Sequence, residues 1–229
     1  FFGSLVILPL WLQTQIGYTA TEAGKVMAPV GIFAIILSPI VGKMLPKIDA
    51  RWVATTAFLI FSLVFFMRSQ FTQDVDMMTL MIPTVIQGAA MAMFFIPLTS
   101  IILSGQSPDK IPAAAGLSNF VRIMFGGIGT SVMSTMWDNR TILHHAQLAE
   151  YTGVHNPAFT QAVNALMARG MSEQAAWAVI DRQMTVQAST LAATDLFWMS
   201  AIMFLCLIGF IWITKRAKAS GGADAAGAH

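Results

Sequence analysis

The stretch MMTLMIPTVIQGAAMAMFFIPLTSIIL, Met77 to Leu103, contains no charged side chain. As a helix rising about 1.5 Å per residue, it outspans a hydrocarbon core about 30 Å thick. The pattern recurs along the chain. Apolar runs near 1–16, 21–45, 52–67, 77–103, 111–137 and 191–213 read as six membrane helices. Thr21 is a plausible cap for the second, with Glu22 in its first turn. Pro112 suits the first turn of the fifth.

Composition agrees with a bilayer as the solvent. Hydrophobic residues make up 56% of the 229 positions and charged ones only 10%, against about 25% charged in a soluble domain. One core could not hide so much apolar surface. Sixteen Met and sixteen Phe pack well against lipid and uneven helix surfaces. A net charge of +2, with no basic stripe interleaved with aromatics, argues against nucleic acid as a partner. The single cysteine, Cys206, excludes a disulfide or zinc framework and reads as a small buried hydrophobe. The chain opens inside an apolar run with neither a basic leader nor a cleavage site, so its true start is expected upstream.

Basic residues fall mostly on one side of the six segments. Lys43, Lys47, Arg51, Lys110, Lys215, Arg216 and Lys218 share that side, whereas Lys25 and Arg68 occupy the other. The positive-inside rule then places the C-terminus in the cytoplasm, with a Gly-rich tail, 217–229, that reads as disordered. The long connection 138–190 lies outside. Phe159, Val163, Leu166 and Met167 share one helical face there, stopped by Gly170. Ser172 then caps a second helix, which is free to continue into the sixth segment.

The stretch GKMLPKIDARW falls on the short cytoplasmic loop between the second and third helices. It resembles the loop signature of the major facilitator superfamily: Gly42 matches its glycine, Lys47 its first basic position and Arg51 the later one. Pro46 and Asp49 stand where that signature has Asp and Gly. The longer stretches LPLWLQTQIGYTATEAGKVMAPVGI, FFIPLTSIILSG, GLSNFVRIMFGGIGTSVMSTMWDNRTILHHAQL and ATDLFWMSA are similar to the C-terminal half of EmrB-type multidrug transporters. Those are fourteen-helix drug:proton antiporters of the bacterial inner membrane. The resemblance implies that residues 1–216 form the C-terminal six-helix bundle of a major-facilitator fold, with a helical periplasmic loop before the last helix. It also implies a multidrug exporter for small apolar compounds, coupled to the proton gradient and needing no cofactor. The partners implied are the N-terminal half of the same transporter, a periplasmic adaptor of the EmrA type and an outer-membrane channel.

Arg122 is the residue most in need of explanation. It lies ten residues beyond Pro112, about 15 Å along the helix and near the midplane. An arginine there costs roughly 2.5–3.5 kcal/mol on insertion scales, so it must face water or a partner. Asn119, Gly126 and Gly129 share its face. The functional reading is a polar contact in the transport pathway or in the interface between halves; the bland one is an arginine satisfying carbonyls at a helix break. On the fourth segment Thr84, Gln87, Gly88, Met91 and Phe95 fall along one face, suiting bulky apolar substrates. Gly88 and Ala92 equally read as a small-residue packing pair. Gln13 either lines the cavity or sits at the interface. No acid shares the depth of Arg122; Asp195 reads as interfacial, which places the coupling acid in the N-terminal half. His144 and His145 with His155 invite a metal reading, but the adjacent pair cannot easily share an ion, so no metal site is expected.

Other classes fit less well. An ATP-driven permease needs a coupling loop, and the cytoplasmic loops here are short; a channel is the remaining transport reading. An intramembrane enzyme needs a nucleophile and a base at one depth, and the histidines fall outside the membrane.

Overall fold

The computed structural model describes residues 1–104, 106–150, 152 and 156–213. His155, the basic cluster at 215–218 and the tail 217–229 lie outside the described residues. The described residues form helices and no strand: α1 (Phe2–Trp11, continued by a π-helical turn Leu12–Ile16), α2 (Ala20–Met44), α3 (Ala50–Arg68), α4 (Met77–Leu103), α5 (Ile111–Glu150), α6 (Pro157–Ala168) and α7 (Glu173–Ile213). Five of them, α2 to α5 and α7, are long and apolar enough to cross a membrane, and Phe2–Ile16 is a shorter apolar helix. This is a multi-pass membrane protein, with a first apolar helix shorter than the other five.

Local chemistry sets the ends. Gly17, at φ 86°, closes the π-helical turn in the left-handed conformation that glycine adopts without strain. α2 is capped by Thr19 rather than Thr21. Its hydroxyl accepts from Glu22 N (3.3 Å) while Glu22 Oε2 accepts from Thr19 N (2.8 Å). That reciprocal pair requires an acid three residues after the hydroxyl, a spacing Thr19 has and Thr21 lacks. Asp49 caps α3, its Oδ1 accepting from Arg51 N at 3.1 Å.

α5 does not stop at Trp137 but continues to Glu150, because nothing in DNRTILHHAQLAE breaks a helix. At 40 residues it is about 60 Å long, twice the hydrocarbon thickness. α7 likewise runs unbroken from Glu173 to Ile213. Ser172 caps its start, accepting from Ala175 N at 3.2 Å. α6 folds back on that extension through Gly170 and buries Phe159, Val163 and Ala176 in a small satellite core.

The bundle packs as α2 on α4, α4 on α3, α3 on α7, α7 on α5 and α5 on α1. Its centre is aromatic: the Phe204 ring stacks on Phe61 (5.0 Å) and Phe65 (5.4 Å), and Phe94 meets Phe61 edge-on at 5.7 Å. Small residues let α7 approach closely, with Ala188, Ala192 and Ala193 buried. Interhelical hydrogen bonds fix the register: Trp11 Nε1 to Thr190 Oγ1 (3.1 Å), Trp137 Nε1 to Ser189 O (3.0 Å) and Ser62 Oγ to Ala201 O (3.0 Å). Cys206 is exposed rather than buried. Phe204 and Ala201 take the inward face of α7, which turns Cys206 outward with Leu205 and Phe210. In lipid that face is as apolar an environment as a core, so hydropathy could not distinguish the two.

Candidate substrate groove and two arginines

α4 and α5 scarcely touch, since α5 leans on α7 and α1 instead. The gap is a groove of about 930 Å³, within the range that takes a drug-sized ligand. Phe95, Leu98 and Ile102 of α4 form one wall, and Leu117, Val121 and Phe125 of α5 the other. Phe2 of α1 and Met199 and Met203 of α7 complete it.

Arg122 lines this groove and is exposed. Its Nη2 donates to Asn119 Oδ1 one turn earlier, and its guanidinium carbon lies 5.2 Å from the centre of the Phe95 ring. The cation therefore lies over an aromatic face, an attraction that strengthens when water is excluded. Among the described residues no carboxylate pairs with it. Gly126 makes room for α1, because a Cβ there would meet the Phe2 ring at 2.8 Å. A Cβ on Gly129 would meet nothing within 4 Å.

The other pathway candidates separate. Phe95 is in the groove, and Met91, four residues before it, packs against the central core instead. Thr84 and Gln87 are fully buried, away from the groove, and both bond Arg68. Gly88 is a packing residue: an added Cβ would lie 2.7 Å from Val30 O and 3.0 Å from Pro29 O on α2. Gln13 is exposed at the π-helical turn and donates to Pro9 O at 3.1 Å. Gly42 and Lys47 are exposed beside the turn joining α2 to α3, and Arg51 is half-buried in the first turn of α3.

Two arrangements escape a reading of the sequence alone. Arg68, expected in an outside loop, is the last residue of α3 with its side chain completely buried. Asp195 Oδ2 accepts from Arg140 Nη1 at 2.7 Å and meets His144 Nε2 at 2.9 Å, tying α5 to α7. The i, i+4 spacing of Arg140 and His144 is the signal that marks this cluster once α5 is carried past Trp137. Among the described residues no group of three His, Cys, Asp or Glu is placed to hold a metal ion.

Comparison with known proteins agrees with this architecture. The profile of the Major Facilitator Superfamily matches residues 1–132. The whole chain is 44% identical to the multidrug export protein EmrB of Escherichia coli (strain K12), covering 45% of that protein. It is 39% identical to the fatty acid resistance protein FarB of Neisseria gonorrhoeae, over 97% of this chain and 44% of FarB. The multidrug export protein EmrB of Haemophilus influenzae is 38% identical over 94% of this chain and 42% of its own length. The chain thus spans less than half the length of these curated relatives. On a profile covering more than half of its residues, and on six apolar helices packed around an aromatic centre, the chain belongs to the Major Facilitator Superfamily.

Proposed function

We propose that this chain is the C-terminal six-helix half of a multidrug exporter in the bacterial inner membrane, driven by the proton gradient and working by alternating access. The observation that carries the reading is the groove between α4 and α5, apolar along its walls and bearing the exposed cation Arg122. Phenyl, leucyl and methionyl walls re-pack around differently shaped apolar bodies. Arg122 supplies the polar anchor, which favours compounds whose apolar body carries an acceptor or anionic head. Both the multidrug export proteins and the fatty acid resistance protein among the relatives are in keeping with such substrates.

The N-terminal half of the same transporter would face the groove and contribute the titrating carboxylate, because Asp195 is already paired with Arg140 and His144 on the far reach of α5. A C-terminus on the cytoplasmic side satisfies the positive-inside rule. The reaches of α5 and α7 beyond the bilayer, with α6, are then periplasmic and available to an adaptor of the EmrA type, itself joined to an outer-membrane channel. In the whole transporter, Arg122→Ala is expected to lower drug efflux about tenfold or more at unchanged membrane abundance, with Arg122→Lys keeping part of it. An uncoupler should abolish efflux in the unmodified protein, and ATP depletion under a maintained gradient should not. Unimpaired resistance in the Arg122→Ala cells contradicts the proposal.

A further inference from the structure

Arg122 and Phe95 stand on opposite walls of the groove, on two helices that otherwise scarcely touch. Their contact, 5.2 Å from guanidinium carbon to ring centre, therefore crosses the gap. The Phe95 ring is itself held edge-on by Phe94 at 5.0 Å and by Phe1 at 5.9 Å. Asn119, one turn before Arg122 on α5, accepts a proton from its Nη2 through Oδ1. The cation is thus gripped from two sides, by a ring on α4 and by an amide oxygen on its own helix.

What remains of Arg122 is directional. A guanidinium is flat, with all its N–H donors around the edge and none on the faces. Contact with the ring uses none of those donors, and Asn119 uses one. Among the described residues Arg122 makes no other hydrogen bond and no ion pair. No carboxylate lines the groove among those residues either, so the rest of the edge is left to whatever enters. A head group with two or more oxygens and a negative charge can meet such an edge through parallel N–H···O bonds. An uncharged head gains much less from it. An arginine already held in place also loses less rotamer freedom when it binds than a free one does.

We infer that, in a groove that serves as the substrate path, Phe95 and Asn119 are positioning residues for Arg122. They hold its free edge toward the groove, so that it selects amphiphiles with a carboxylate or sulfonate head over uncharged ones of the same shape. Dansylate and dansylamide test this, since they share one fluorescent aromatic body and differ in carrying a sulfonate or an uncharged sulfonamide. Binding to the full-length transporter in lipid nanodiscs is counted as the part that a transported drug displaces. Dansylate should bind severalfold more tightly than dansylamide. Phe95→Leu, which keeps the wall apolar, and Asn119→Ala should each weaken dansylate severalfold and leave dansylamide unchanged. The unchanged dansylamide affinity also shows that the variants are folded. Phe95→Tyr, which keeps a ring face, should retain the preference. In Arg122→Gln the two compounds should bind alike, with nothing further lost when Phe95→Leu is added. Equal affinities in the unmodified transporter overturn the selectivity and leave the substrate path standing, as does a loss in Phe95→Leu that falls equally on both compounds. If no transported drug displaces either compound, the groove is not the substrate path, and the proposed function falls together with the selectivity.

Discussion

α3 and α5 are both apolar enough to cross a membrane, yet they use their surfaces in opposite ways. α3 buries eleven of its 19 residues, wedged between α4 and α7. α5 buries only Trp137 of its 40 and leaves Phe120, Ile123 and Ile128 exposed outside the groove. Hydropathy reports that both prefer hydrocarbon to water, and it is silent on whether that hydrocarbon is lipid or protein. The two arginines follow their helices. Arg68 on α3 is sealed against Gln87 and Thr84, whereas Arg122 on α5 opens onto a groove. One helix is sealed into the bundle, and the other leaves most of its surface open, part of it along the groove.

That contrast breaks most readily at a phenylalanine on each helix. Phe61→Ala removes a ring stacked on Phe204 and edge-on to Phe94, at a cost of about 3–5 kcal/mol. Phe120→Ala, at a side chain 62% exposed, should stay within about 0.5 kcal/mol. Reversible unfolding of the purified transporter in mixed micelles measures both. Similar losses at the two positions would dissolve the distinction. A smaller effect sharpens it at the glycines. Gly88→Ala forces a methyl against the α2 backbone and should cost about 1–3 kcal/mol. Gly129→Ala meets open space and should be neutral to slightly stabilising, as replacing glycine inside a helix usually is. The same assay reads the difference.

How far the sequence could be read depends on which physics it encodes locally. Membrane helices are written in uninterrupted hydropathy, and the hairpin around Gly170 in a stop signal followed by the Ser172 cap, so both are legible. Helix ends beyond the bilayer are less so. α5 passes Trp137 because the polar residues after it are good helix formers, and a hydropathy window ends where polarity begins. The face Thr84–Gln87–Met91–Phe95 reads as one surface at helical spacing, but its two ends meet different neighbours. Arg68 binds the first end and the groove opens at the second, and no periodicity on α4 records what α3 brings. Arg122 was legible because a cation amid apolar residues needs an explanation wherever it lies. Arg68 was not, because at the end of a run it looks like an ordinary loop residue.

The most direct test is the rate at which a thiol in the groove reacts in the presence of substrate. Ser118, on the groove wall one turn before Arg122, is replaced by Cys in a full-length transporter whose other thiols, including the exposed Cys206, are removed. A membrane-permeant maleimide should label Ser118→Cys readily, and a transported drug should slow that labelling severalfold, with protection lost when Arg122→Ala is added. Labelling that is indifferent to every transported drug, in a variant that still exports them, would place the substrate path elsewhere.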